Sequence, residues 1–198
     1  MLWDGGLKDI TFTTAFSSDL GRQRATARRI LAQNAGEIPE LREVIGLREW
    51  FYGGYEGKKN AEMWNPIFEA HGLTFDADWS QYGELTKQMS DEDIANAIAA
   101  NDELHAAETY DEITKRSREA MEEIVRSTQE AGGGNALAVS SGSEIPTILE
   151  LMVPGQYQGE DISNCSVTIL KYKDGNYTLE QCGDTSYLEA GSIEEKKG

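Results

Sequence analysis

Within three residues the hydrophobic period of this chain changes from two to about 3.6. Ile10-Thr11-Phe12-Thr13-Thr14-Ala15-Phe16 alternates and is rich in β-branched and aromatic residues, the pattern of a strand. Ser17-Ser18-Asp19 then offers an N-cap, and Leu20, Ala27, Ile30 and Leu31 return at helical spacing to about residue 34. The switch recurs later. Residues 136–140 are short, small and apolar, suited to the middle of a parallel sheet. Ser141-Gly142-Ser143 is a tight turn into a helix carrying Ile145, Ile148, Leu149 and Met152. Strand–helix–strand order implies an α/β fold.

Between these corners, residues 36–39 read as a turn and 41–45 as a short strand. Residues 46–57 hold four glycines among aromatics, a structured loop and not a helix. Residues 60–105 read as an insertion or lid of short helices, with Asp76-Ala77-Asp78 and Ser90-Asp91-Glu92 as breaks or caps. Residues 110–131 form an amphipathic helix with Tyr110, Ile113, Ala120, Met121, Ile124 and Val125 on one stripe, ended by three glycines. Residues 164–172 and 177–182 make a hairpin about Asp174-Gly175. That turn sets Cys165 opposite Asp184 and makes Cys165 and Cys182 diagonal neighbours, a placement that favours free thiols over a bridge. The reading is one domain over residues 1–190 with a flexible tail at 191–198, and no internal repeat.

Composition narrows the partners. A formal charge of −17 opposes binding to nucleic acid or anionic lipid, both polyanions. No run of 18 apolar residues is present to span a membrane, and no signal peptide is visible, so a cytoplasmic location is expected. The charge is uneven. Residues 1–59 hold nine basic and eight acidic side chains, whereas residues 76–123 hold four basic and fourteen acidic ones. The first third is therefore the place for an anion site, and the acidic block reads as a solvated helical face.

Three segments could carry chemistry. In the first, Arg22 sits near a helix start at a strand's end, where anions are favoured and a guanidinium can grip a phosphate through two bonds. The rival reading is a surface ion pair. In the second, Ser140-Ser141-Gly142-Ser143 lets backbone N–H groups approach an anion. It is not a Gly-x-Ser-x-Gly elbow, and the two histidines, His71 and His105, lie in the insertion, which argues against a serine hydrolase. In the third, Glu49 stands among Trp50, Phe51 and Tyr52, where a raised pKa suits a general acid; the rival is a glutamate paired with Arg48 or Arg42. No His-rich or Cys-rich cluster points to a metal, and no cofactor is expected.

These segments, in this order, resemble the histidine phosphatase superfamily in its phosphoglycerate-mutase-like branch. Residues 107–116, 134–140, 164–167 and 183–187 add to the likeness, which covers nearly the whole chain. The resemblance implies a three-layer sandwich, a mostly parallel sheet with helices on both faces. It also implies phosphomonoester hydrolysis or phosphoryl transfer through a phosphohistidine in an Arg-His-Gly motif. Two arginines and a second histidine would hold the phosphate, and a carboxylic acid would protonate the leaving group. On that pattern Arg22 is the second phosphate arginine, Glu49 the proton donor, and Gly142 and Ser143 supply backbone contacts.

The chain departs from the pattern twice. It carries no Arg-His-Gly, residues 1–8 resembling the end of the family's first helix, so the central first strand is expected to be missing. Ser141 stands where the second histidine belongs. The implied protein is inactive or nearly so, with inorganic phosphate or a small phosphorylated metabolite as ligand. A non-catalytic module binding phosphate through Arg22, or a basic partner through residues 76–123, is the alternative. A longer gene product starting upstream is a third. A missing strand would leave a sheet groove open to homo-oligomerisation.

Overall fold

A computed structural model describes residues 5–187. The elements are β1 (Phe12–Ser17), α1 (Gly21–Gln33), β2 (Leu41–Glu43), α2 (Asn60–Ala70), α3 (Tyr82–Leu85), α4 (Asp91–Asn101), α5 (Tyr110–Glu130), β3 (Asn135–Val139), α6 (Glu144–Met152), β4 (Val167–Lys173) and β5 (Asn176–Asp184). They fall into two compact units, residues 1–49 with 116–198, and residues 50–115. The tail expected at 191–198 lies outside the described residues.

The first unit holds a parallel sheet in the order β2-β1-β3, with Ala15 opposite Leu41 and Leu137. Successive strand residues face opposite ways. Ala15 packs with Leu31 of α1, while Phe16 packs with Ala120, Met121 and Ile124 of α5 and Ile148 of α6. Helices therefore cover both faces, as the α/β reading requires. A register irregularity between Phe12 and Thr14 turns Phe12 to the α1 side, although it shares parity with Phe16. Among the described residues β3 pairs along one edge only, and its Ala138 is exposed.

The hairpin β4–β5 forms a separate antiparallel pair. Its turn is as read: Asp174 and Gly175 both take positive φ, 52° and 85°, between Lys173 and Asn176. The far end corrects the sequence register. Leu170 faces Leu179, but Ile169 faces Gln181 and Val167 faces Asp184. Each irregularity adds a residue to β5, so Val167 and not Cys165 reaches Asp184. Cys165 lies before the strand, exposed, and neither cysteine is in a disulfide.

The second unit is helical. Trp64, Phe68, Phe75, Trp79 and Tyr82 meet edge to face, with Phe68 wholly buried. Ser90 and Asp93 close a capping box at the start of α4. The acidic face is mostly solvated, as expected, with Glu92, Asp93, Glu103, Asp111 and Glu112 exposed.

Asp102 is the exception. It is buried, and it accepts bonds from the backbone N–H of Gly54 (3.1 Å), Leu104 (3.1 Å), Ala106 (2.8 Å) and Ala107 (2.9 Å). Gly53 takes φ +55°, and a Cβ there would lie 2.2 Å from an Asp102 oxygen. Burial opposes the Asp102 charge, but the four N–H groups outweigh it and hold the carboxyl down at about 2. A depressed pKa stabilises the fold above the ordinary value of 3.8, and that contribution fades as pH falls toward about 2. Asp102→Asn should therefore lower Tm at pH 7. The gap to wild type should narrow between about pH 4 and about pH 2, read from melts across that range.

Candidate active site

The two strand-to-helix corners lie side by side because β1 and β3 are neighbours in register, Ser17 opposite Val139. At the β1 corner the Ser18 hydroxyl accepts from Leu20 N–H (3.2 Å), and α1 starts without a side-chain cap. Arg22 is exposed in the first turn, and no ion pair or hydrogen bond engages its guanidinium among the described residues. The surface ion pair considered for it is taken instead by Arg24, 2.8 Å from Glu43. The amide atoms of its neighbour Gln23 are buried without a hydrogen-bond partner among the described residues.

At the β3 corner Ser140 Oγ donates to Leu47 O (2.9 Å), tying the turn to the loop before Glu49. Ser141 Oγ is buried and has no partner among the described residues. The Ser143 N–H points at the Glu49 carboxylate, 3.2 and 3.3 Å from its two oxygens. A Cβ on Gly142 would stand 3.9 Å from Glu49 Oε2, so the carboxylate lies over the turn. The arginines that sequence offered as Glu49 partners bind other groups. Arg48 forks onto Asp19, holding that carboxyl below its ordinary value, and Arg42 bonds Ser127 and Glu123.

Glu49 is fixed from behind by a residue whose role the sequence did not disclose. Arg116, on α5, donates through Nη1 to Gly46 O (3.1 Å), Arg48 O (3.1 Å) and Glu144 Oε2 (3.0 Å), and through Nη2 to Glu49 O (3.2 Å). The loop comes this close to α5 because residue 46 is glycine: a Cβ there would lie 2.1 Å from Arg116 O. Glu144 opens α6 and is fully buried, also accepting from Ser117 Oγ (2.6 Å). Burial pushes its carboxyl up to about 8, against the pull of Arg116 and Ser117, and the charge of Glu49 pushes the same way. One signal was available: Glu144 stands one turn before buried Ile148, on the inner stripe of α6.

The corner thus brings Glu49, Gly142 and Ser143 together with Ser141 beside them. No hydrogen bond or ion pair ties Arg22 to that group. Chemically the turn is an oxyanion receptor already holding an oxyanion, the Glu49 carboxylate. Among the described residues no group of three or more His, Cys, Asp or Glu is placed to hold a metal ion. None of their helices is long and apolar enough to cross a membrane.

This fold and site define a class. The sequence matches the histidine phosphatase superfamily (branch 1) over residues 3–92 and 69–185, and the chain belongs to that superfamily. It is 33% identical to a phosphoglycerate mutase from Bacillus anthracis, with a TM-score of 0.84, over 96% of this chain and 80% of that one. The phosphoglycerate-mutase-like branch is therefore the right one. Two others share the fold. YhfR of Bacillus stearothermophilus gives a TM-score of 0.66 at 19% identity, over 94% of this chain and 82% of that one. A mycobacterial glucosyl-3-phosphoglycerate phosphatase, solved with inorganic phosphate, gives 0.58 at 20%, over 89% and 79%. No curated protein matches.

The raised Glu144 carboxyl has a sign. The folded chain keeps a proton that the unfolded chain gives up near 4.5, so stability falls as pH rises from about 4.5 to about 8 and is level above. Glu144→Gln, which resembles the neutral acid, should flatten that slope. Urea unfolding at pH 5, 7 and 9 should show the variant gaining on wild type as pH rises.

Proposed function

We propose that this chain is a phosphate-binding member of its superfamily that turns over phosphomonoesters poorly or not at all. The observation that carries the reading is the Ser143 N–H engaged with the Glu49 carboxylate beside Ser141. A donor that holds a carboxylate suits a phosphate oxygen equally. Arg22, with no acid engaged, supplies the cation, and a small phosphorylated metabolite or inorganic phosphate is the ligand. The mycobacterial relative holds inorganic phosphate, which fits the same chemistry.

Turnover fails for a stated reason. Ser141 occupies the second histidine's place, and a short neutral hydroxyl gives no imidazolium to a dianion in the transition state. The chain has two histidines, His71 and His105, both in residues 50–115, and His71 Nδ1, just past the end of α2, is bonded to Ile67 O. Neither belongs to an Arg-His-Gly motif.

Phosphate at about 100 times its Kd should stabilise the chain by about 2.7 kcal/mol, or roughly 5–10 °C in Tm for this length. Arg22→Ala should abolish most of that shift. An equal shift in the variant would reject Arg22 as the ligand cation. Glu49→Gln, which removes the resident charge from the Ser143 N–H, should bind phosphate more tightly than wild type. Hydrolysis of p-nitrophenyl phosphate at the rate of an intact relative, lost in Glu49→Gln, would overturn the inactive reading.

A further inference from the structure

Arg116 Nη1 carries two hydrogens and faces three acceptors, Glu144 Oε2, Gly46 O and Arg48 O, all at 3.0–3.1 Å. The two carbonyls belong to the loop that ends in Glu49, whose own carbonyl takes the bond from Nη2. A carboxylate and two carbonyls therefore compete for the same two protons. On the other side, Glu144 is joined by one peptide bond to Ser143, whose N–H holds the Glu49 carboxylate. Glu144 touches Glu49's supports from both directions.

We propose that Glu144 is a positioning residue for Glu49, acting through the protons it shares on Arg116. The inference rests on Glu49 having the role proposed above. The charged and titratable groups facing Glu144 are Arg116 from α5 and Glu49 from the loop, with the Ser117 hydroxyl beside them. A neutral Glu144 claims little of Nη1 and leaves the Gly46 and Arg48 carbonyls well bonded, which fixes the loop. An ionised Glu144 draws the guanidinium to itself and loosens those carbonyls, because hydrogen bonds to charged acceptors are roughly twice as strong as neutral ones. The burial that drives the Glu144 carboxyl up to about 8 keeps the fixing state populated at neutral pH.

The test is a pH titration from 5 to 9.5 of isotope-labelled full chain, following the Ser143 amide, the Glu49 side-chain carboxyl and the Gly46 and Arg48 carbonyl carbons. All four signals should move together in a step near pH 8, and Glu144→Gln should lose the step from all four. Ser117→Ala removes a hydrogen bond that favours the charged form, so the step should shift to higher pH. That variant decides the matter if Glu144→Gln does not fold. A wild type without the step overturns the proposal, as does a step that survives Glu144→Gln. So do loop carbonyls that stay still while only Ser143 responds, because a through-space charge effect needs no shared protons. Inorganic phosphate is titrated separately at pH 7. A chain that ignores phosphate yet shows the four-signal step counts against the phosphate-binding reading and for the positioning role.

Discussion

One guanidinium holds the candidate site together. Arg116 sits on α5, the longest helix of the fold, and converts that helix's rigidity into a fixed path for residues 46–49. The contact depends on close approach, since Gly46 lies against the α5 backbone where a side chain would clash. It also depends on charge. Arg116 is mostly buried, and a buried cation needs acceptors on every N–H it can aim. The three loop carbonyls and Glu144 supply them. The Glu49 carboxylate can then reach the Ser143 N–H across the neighbouring corner.

Two buried carboxylates show how local donors decide the fate of a charge. Asp102 and Glu144 are both shielded from water. Asp102 sits among four backbone N–H groups, and its carboxyl is held down. Glu144 has a guanidinium and a hydroxyl, but it is driven up by burial and by a second carboxylate nearby. Backbone N–H groups cost nothing extra to bury once a carboxylate accepts from them, because they need a partner in any case. Buried ion pairs must first recover the desolvation of both charges. Asp102 therefore works as fixed scaffold in residues 50–115, while Glu144 remains able to titrate.

Much of the fold was legible in the chain. The alternation at 10–16, the helical stripe at 110–131, the small strand at 136–140 and the Asp174-Gly175 turn all stand close to where local pattern put them. Each is encoded within a few residues, by period or by backbone preference. The hairpin's far register was not legible. Two added residues in β5 leave no mark in composition, and they move Val167 opposite Asp184. Nor does any local pattern announce that the aromatic residues at 64, 68, 79 and 82 pack on one another, since that contact exists only in the fold.

The sequence by itself determined the order of βα corners, the segments that carry Arg22, Glu49 and Ser141 to Ser143, and the family. Those are properties of neighbouring residues and of motif order. Tertiary structure alone decided which groups meet. Arg116 is 67 residues from Glu49 and 28 from Glu144, and neither spacing carries a periodic signal. Arg48 and Arg42, near Glu49 in sequence, bind Asp19 and Glu123 instead. Sequence neighbours fix backbone conformation, but the partner of a long charged side chain is whichever acceptor the packed fold brings within about 3 Å.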